Sequence, residues 1–535
     1  MRLNPLLLLA TLLFAPQLFS QSNAESELVI RGDVLGSSVS IKISGLLPNK
    51  PAYLLPAFGN GGSNYLVSLS GDSNDFLTVD LSLATGGTYF QGTAQSNGNW
   101  NLNKFLPNAA SLLDNPLYFQ AFSRGATNGP DMFQKFSNLL VMTPNRSERW
   151  QTLPNAPETA ALSASVVLET ALAGGPKSLM ICGGGPVLLT DASNPYSTTD
   201  KAWIYDCLRE EFTLAGGTMQ TSRAFHNAVR LQDGKVLVIG GITGPFGSGN
   251  SHYTMTLDSA EIYNPATGNW TTVAPMNEHR AGATANLLPD GRVLVAGGTP
   301  GNSSNQLSDI GDILGTARKT TEIYNPATNT WTAGPNLPEY KAGAGSLNLS
   351  DGRILIAGGI THTFIFGIAI PDFAGKLTIY DPTTGSFGNT TSMRAKRALF
   401  GLTELTDGKV FMAGGGGGDV FNIGPIRNCE VWNPVTGNCT STQSLTSDSA
   451  FPSCVTLADG RAMVLGGANG SLDDPLPIAN TWYFNPVTNT ITSGPQLPQE
   501  HAGGTAAVTC KMDVVVIGGE TGNGLATNKA TSVSF

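Results

Sequence analysis

Two neighbouring stretches decide the fold of this chain: Leu231-Gln-Asp-Gly-Lys-Val-Leu-Val-Ile-Gly-Gly241 and Ser259-Ala-Glu-Ile-Tyr-Asn-Pro-Ala-Thr-Gly-Asn-Trp270. The first reads as a strand, a tight turn at Asp233-Gly234, and an apolar strand, Val236 to Ile239, that ends in Gly-Gly. Asp-Gly marks such a turn because its central positions need positive φ, which Gly and Asp or Asn tolerate best. The second reads as a strand, Glu261-Ile-Tyr263, turned by Asn264 to Gly268 towards Trp270. Together they predict four antiparallel strands.

The unit recurs. A hydrophobic strand closing on Gly-Gly appears with first glycines at 183, 240, 297, 358, 414, 466 and 518, in steps of 57, 57, 61, 56, 52 and 52 residues. Asp-Gly turns precede it at 233, 290, 351, 407 and 459, and the later hairpin recurs as Tyr324-Asn-Pro, Tyr380-Asp-Pro, Trp432-Asn-Pro and Phe484-Asn-Pro. Seven copies of a four-strand unit predict a β-propeller with one blade per copy. The last copy has one strand after its Gly-Gly, Thr531 to Phe535, while Arg149 to Leu153 stands ahead of the first copy without a blade. Pairing these two would complete the seventh blade and remove two exposed sheet edges.

The surrounding chain agrees. Its 535 residues exceed one compact domain, only 13% are charged, and Gly (64) and Pro (32) are abundant, as suits an all-β protein rich in turns. A net charge of −9 without a basic stripe argues against nucleic acid and against an anionic membrane surface as partners. Met1-Arg2, the apolar run Leu6 to Phe19 and the small residues Ser22-Asn-Ala24 read as a signal peptide over 1–24, too short to span a membrane. Secretion or a periplasmic location is therefore expected, with no membrane insertion. Residues 25–145 lack the repeat. Short alternating segments (Leu28 to Gly32, Val39 to Ile43, Asp75 to Leu81, Gly92 to Leu102, Leu117 to Ala121) predict a β-sandwich, followed by the propeller over 146–535. Gly92 to Trp100, Tyr118 to Ala121 and Phe136 to Val141 resemble a β-sandwich domain of exported bacterial proteins.

Strand-turn-strand-Gly-Gly followed by an aromatic-Asn-Pro-x-Thr-Gly hairpin resembles the kelch repeat, over about 385 residues. Blade 1 departs from it, with a longer turn at Ala171 to Lys177 and Cys207 where others carry Pro. Blade 7 departs too, with Cys510-Lys-Met-Asp513 in place of Asp-Gly. A kelch propeller behind a β-sandwich is also similar to galactose and glyoxal oxidases. That likeness implies a copper held by two Tyr and two His, one Tyr being cross-linked to Cys. The Tyr-His pair of that motif would fall on Phe225-His226, and no Tyr-His dipeptide occurs in the chain. No cofactor and no metal are expected.

Where function sits follows from strand direction. The first and third turns of each blade are short and share one face. The second loops, 186–200, 242–257, 299–318, 360–376, 415–427, 468–480 and 520–529, are long, mutually unlike, and share the other. Loop variation on a rigid scaffold is where specificity resides. At the start of each innermost strand, on that same face, stand Arg223, Arg280, Lys341, Arg397 and His501, with Ser449 in blade 6. One reading makes them ligand-binding donors at the channel mouth, suited to carboxylates or sugar hydroxyls. The other has them bonding loop carbonyls or a neighbouring acid. Tyr263, Tyr324, Tyr380, Trp432, Trp270 and Trp331 are expected to pack between blades. Glu278 and Glu520 are candidate acids beside the basic ring, and Asp72 to Asp75 a polar turn that could help bind calcium. Six cysteines allow 15 pairings; Cys429 and Cys439, on one hairpin, are nearest in sequence but not directly opposite. The expected function is that of an exported binding protein recognising a protein or carbohydrate ligand through the long-loop face. The rival is a carbohydrate-active or oxidoreductase propeller enzyme, mutarotase-like or a degenerate oxidase relative.

Overall fold

In the computed structural model the described residues are 27–31, 38–44, 46, 49–57, 67–68, 76–77, 90–97, 99–105, 117–124, 133–134, 140–142, 149–153, 161–170, 176–185, 197–248, 251–307, 312, 315–365, 368–388, 390–419, 422–471, 474–522, 525–526 and 529–534. The leader expected over 1–24 and the turn expected at Asp72 to Asp75 lie outside them. No described helix is long and apolar enough to cross a membrane.

Among the described residues, seven antiparallel sheets built on four strands, one of them with a fifth, follow one another from residue 150. Sheet I is built from Ala164–Thr170, Pro176–Cys182, Ala202–Asp206 and Glu211–Leu214. Sheet II contains the opening stretch: Asn227–Arg230, Val236–Ile239, Ala260–Asn264 and Asn269–Val273. Sheets III, V and VI repeat that layout from Thr284, Gly401 and Ser453, and sheet IV, from Gly345, adds a short fifth strand, Thr391–Ser392. Sheet VII joins Thr505–Val508, Val514–Ile517 and Ala530–Val533 to Trp150–Leu153, which pairs antiparallel with Ala530–Val533. The second strands, such as Val236 to Ile239, are buried throughout because both of their faces meet a neighbouring sheet.

Innermost strands touch in sequence order from sheet I to sheet VII. Sheets VII and I also meet, through Thr505 Oγ1, which donates to Ser165 Oγ (2.9 Å). A covalent link crosses the same seam: Cys207, in the third turn of sheet I, is bonded to Cys510, in the first turn of sheet VII. The two departures from the repeat are thus one feature. The nearest-in-sequence pair is not bonded: Cys429 and Cys439 are free thiols, and Cys439 faces Trp432 in the ladder. Burial pushes the Cys429 thiol up to about 11 and that of Cys439 up to about 12, so both stay protonated.

The aromatic ladder packs between sheets. Tyr263 lies against Trp270 (ring centroids 5.0 Å) and Tyr324 against Trp331 (4.9 Å), and the Trp331 indole donates to Ala274 O (2.7 Å) in the preceding sheet. Ahead of the seven sheets, Glu27–Arg31, Ser38–Ser44 and Trp100–Phe105 form one antiparallel sheet, while Pro51–Ala57, Phe90–Thr93, Leu117–Arg124, Phe133–Gln134 and Leu140–Met142 form another. The single strand expected over Gly92 to Leu102 is two strands in different sheets, because the polar stretch from Gln95 turns the chain, with Asn97 Oδ1 accepting from Asn99 N (3.0 Å). Ile41, Leu54 and Trp100 belong to one apolar cluster with Leu153, Tyr205 and Cys510, so this segment packs on the seam.

Candidate functional site

The five basic residues of the channel mouth lie beneath it, at 0–3% exposure. Each reaches the carbonyl of the first glycine in its own sheet, seventeen residues on. Arg223 donates to Gly240 O (2.9 Å), Arg280 to Gly297 O (2.7 Å), Lys341 to Gly358 O (3.0 Å) and Arg397 to Gly414 O (2.8 Å). Ser449 Oγ makes the same bond to Gly466 O (2.8 Å), and His501 Nδ1 to Gly518 O (2.8 Å). Their own carbonyls take the amide of the second glycine in the preceding sheet: Gly184 N to Arg223 O, Gly241 N to Arg280 O, Gly298 N to Lys341 O, Gly359 N to Arg397 O. Each residue therefore rivets two sheets together. A Cβ on Gly240 or Gly358 would overlap the rivet carbonyl of the next sheet, at φ of 60° in both, so glycine is required there.

Three rivets carry a second partner that sequence reading did not single out. Glu261, Glu322 and Glu430 sit at one register position of the third strands and accept from Arg223 (2.7 Å), Arg280 (3.1 Å) and Arg397 (2.8 Å). Each carboxylate also takes two backbone amides of the segment leading into the innermost strand, as Glu261 does from Gln220 (2.6 Å) and Thr221 (3.1 Å). The signal was present: a lone Glu inside an otherwise apolar strand occurs where the rivet is Arg, whereas Lys341, Ser449 and His501 pair with sheets that carry Thr378, Trp482 and Thr531 at that position. Glu278 belongs to the same network, accepting from Arg280 (2.9 Å) and from the Thr320 hydroxyl. Glu520 is buried at the start of the last hairpin.

His501 makes this layer sensitive to acid. Burial lowers its imidazole from 6.5 to about 4. Between those values the unfolded chain holds a proton that the folded chain refuses, so stability falls as pH drops from about 6.5 to about 4 and levels off below. The loss expected from this group is about 3 kcal/mol. Urea titrations of wild type and His501→Gln across that range check it: the wild-type curve should fall more steeply than the variant's, and parallel curves would refute the assignment.

Above the rivets runs a second ordered layer. The residue two places after each of the six rivets, and Leu162 just ahead of sheet I, has positive φ: Leu162 (55°), Phe225 (51°), Gly282 (58°), Gly343 (59°), Leu399 (55°), Phe451 (54°) and Gly503 (64°). Their amides form a cycle: Phe225 N donates to Leu162 O, Gly282 N to Phe225 O, Gly343 N to Gly282 O, Leu399 N to Gly343 O, Phe451 N to Leu399 O, Gly503 N to Phe451 O and Leu162 N to Gly503 O, at 2.8–3.1 Å. Bulky side chains at positive φ are strained, by about 1–3 kcal/mol each. The cycle holds them there.

The long loops, expected to be irregular, rise from this layer as hairpins. They are Ile242–Ser248 with Ser251–Thr256, Ile360–Ile365 with Ile368–Phe373, Gly416–Asp419 with Asn422–Pro425, Ala468–Gly470 with Pro475–Pro477, and Glu520–Thr521 with Leu525–Ala526. The last four touch side by side, and the first takes Gln306–Leu307 as a third strand, so the hairpins make a collar. Three of them carry exposed apolar side chains, Phe246 (42%), Phe364 (57%) and Leu476 (52%). Phe246 stacks on Tyr253 (5.9 Å), and Phe364 caps a column in which His362 stacks on Tyr340 (4.3 Å) beneath the Lys319 ammonium (5.4 Å). Rigid aromatic surface of this kind binds with little entropy loss. Among the described residues, no three His, Cys, Asp or Glu side chains converge as a metal-ligating group. His226 and His362 are buried and His279 bonds Thr256 O (2.6 Å).

Comparison with known proteins adds the family context. The Kelch motif matches residues 224–277. Kelch-like protein 26 of Danio rerio is 23% identical over 322 residues, covering 59% of this chain and 48% of that protein, and Kelch-like protein 36 of Rattus norvegicus is 24% identical over 60% of this chain and 46% of its own length. The chain spans about half the length of the curated relatives it matches. A solved fungal alcohol oxidase of the AA5 family, in complex with copper, aligns with a TM-score of 0.50 and 18% identity over 72% of this chain and 75% of its own, which is a likeness of fold. Motif, relatives and strand pattern support a kelch-repeat propeller.

Proposed function

We propose that the chain is an exported recognition protein whose partner, a protein or a glycan on one, docks on the collar of hairpins. In this reading the seven sheets are blades of one closed ring, and residues 25–145 are a β-sandwich that braces its seam. The observation that carries the proposal is the exposure of Phe246, Phe364 and Leu476 on three hairpins of the loop face, above the hydrogen-bonded amide cycle. The Cys207–Cys510 bond favours an oxidising compartment. Arg223, Arg280, Lys341, Arg397 and His501 serve binding indirectly under this proposal, by fixing the feet of the hairpins. The likeness to the copper oxidase concerns the fold, and the proposal takes no chemistry from it.

The test is a glycan array and a panel of cell-surface proteins, probed with the mature chain and two variants. Phe246→Ser with Phe364→Ser and Leu476→Ser should abolish retention. Val435→Ser with Val487→Ser, which alters two side chains that are 91% exposed on the short-turn face, should leave it intact. The opposite pattern would reject the loop face as the docking surface.

A further inference from the structure

We infer that the channel mouth contains a separate pocket for one small, uncharged ring bearing a hydrogen-bond donor, seated off the axis against sheets III and IV. Around the amide cycle four positions are bulky and three are glycine, and two of the glycines, Gly282 and Gly343, are consecutive. The residues after them are small as well, Ala283 on sheet III and Ala344-Gly345 on sheet IV, where sheets II and V carry His226 and Phe400. The deficit leaves a cavity of about 190 Å³ between Phe225, His226 and Asn227 on one side and Leu399 and Phe400 on the other. An apolar cavity of about 150 Å³ already admits benzene, and two phenyl walls favour a flat guest.

The polar atoms set the rest of the chemistry. Asn227 Nδ2 donates to Ala283 O (2.9 Å), which fixes the amide, and no hydrogen bond among the described residues engages its Oδ1, leaving it as an acceptor. His226 Nδ1 is likewise unpartnered, while Nε2 lies 3.4 Å from Cys182 Sγ. Burial and the nearby Arg223 charge hold His226 well below its ordinary range, so it is a neutral neighbour. The surrounding cations are committed to glycine carbonyls and glutamates, and an anion would find no free counter-charge. An uncharged guest that donates one hydrogen bond fits these walls. This site is independent of the collar and of whatever docks there.

Phenol, anisole and benzoate distinguish the elements of the claim when titrated into the full chain by calorimetry. Phenol should bind saturably. Anisole, which lacks the donor, should bind roughly tenfold more weakly, and benzoate, which is charged, more weakly still or not at all. Gly343→Leu, at a position whose counterpart Leu399 already holds leucine at positive φ, should fill the cavity and remove phenol binding, with a melting temperature lowered by the strain of a side chain at that φ. Should that variant fail to fold, Asn227→Ala decides: phenol should weaken roughly tenfold while anisole is unchanged, a difference that a folding defect cannot produce. Absence of saturable phenol binding, benzoate binding as tightly as phenol, or equal losses for phenol and anisole in Asn227→Ala would overturn the pocket.

Discussion

Replacing Cys207 and Cys510 together by serine is expected to cost about 5 kcal/mol, near the top of the range for a disulfide, because the bond closes a loop of 303 residues and the entropy it removes from the unfolded chain grows with loop length. The same seam holds the antiparallel pairing of Trp150–Leu153 with Ala530–Val533, a Trp150 indole bond to Pro495 O (2.9 Å) and the buried Lys511–Glu210 ion pair (2.6 Å). These survive the double substitution, so the folded form should persist at low temperature. Calorimetry should show a lower midpoint with the remaining transition still cooperative. Wild type under a strong reductant should behave like the variant. An unchanged midpoint would mean that the other seam contacts already suffice.

Arg397→Ala is expected to destabilise the fold by about 3–5 kcal/mol, the cost of leaving one member of a buried pair uncompensated. Arg397 and Glu430 are 0% and 1% exposed, and the guanidinium also serves Gly414 O and Asn428 O (both 2.8 Å). The comparison that gives the number meaning is Lys409→Ala. Lys409 is 2.7 Å from Asp407, a shorter separation than the 2.8 Å of the buried pair, but both partners are over 40% exposed, and the expected loss is below about 1 kcal/mol. Chemical denaturation of both variants checks the contrast. Equal losses would mean that burial does not govern these pairs, and the rivet description would fail.

Much of this fold was legible because it rests on residues with local meaning. Gly-Gly closures, Asp-Gly turns and Tyr-Asn-Pro hairpins each impose a backbone geometry, and their spacing gave the four-strand unit. The basic ring was legible as a repeat but its role was not, since whether a cation meets solvent or a glycine carbonyl seventeen residues away depends on burial, which charge spacing does not encode. The Arg-with-Glu coincidence across three sheets was the readable clue. The disulfide was hidden by distance along the chain: proximity in sequence favoured Cys429 and Cys439, whereas the bonded cysteines are those that replace turn residues in the first and last sheets. The amide cycle was the least legible element. Leu162, Phe225, Leu399 and Phe451 have no intrinsic preference for positive φ, and only the alanine preceding each, which in all but Leu162 follows a rivet, marks the position. The collar was missed because Gly, Pro and Ser interrupt the alternation that would announce strands in segments such as Ile242–Ser248.

The central claim is that seven sheets close into one ring whose rigid mouth carries the recognition surface. Native-state hydrogen exchange at the seven cycle amides tests it most directly. The account predicts slow exchange of comparable rate at Leu162, Phe225, Gly282, Gly343, Leu399, Phe451 and Gly503, including Leu162, whose bond to Gly503 O (2.9 Å) crosses from the first sheet to the last. Fast exchange confined to Leu162 would show a ring open at its seam and contradict the account.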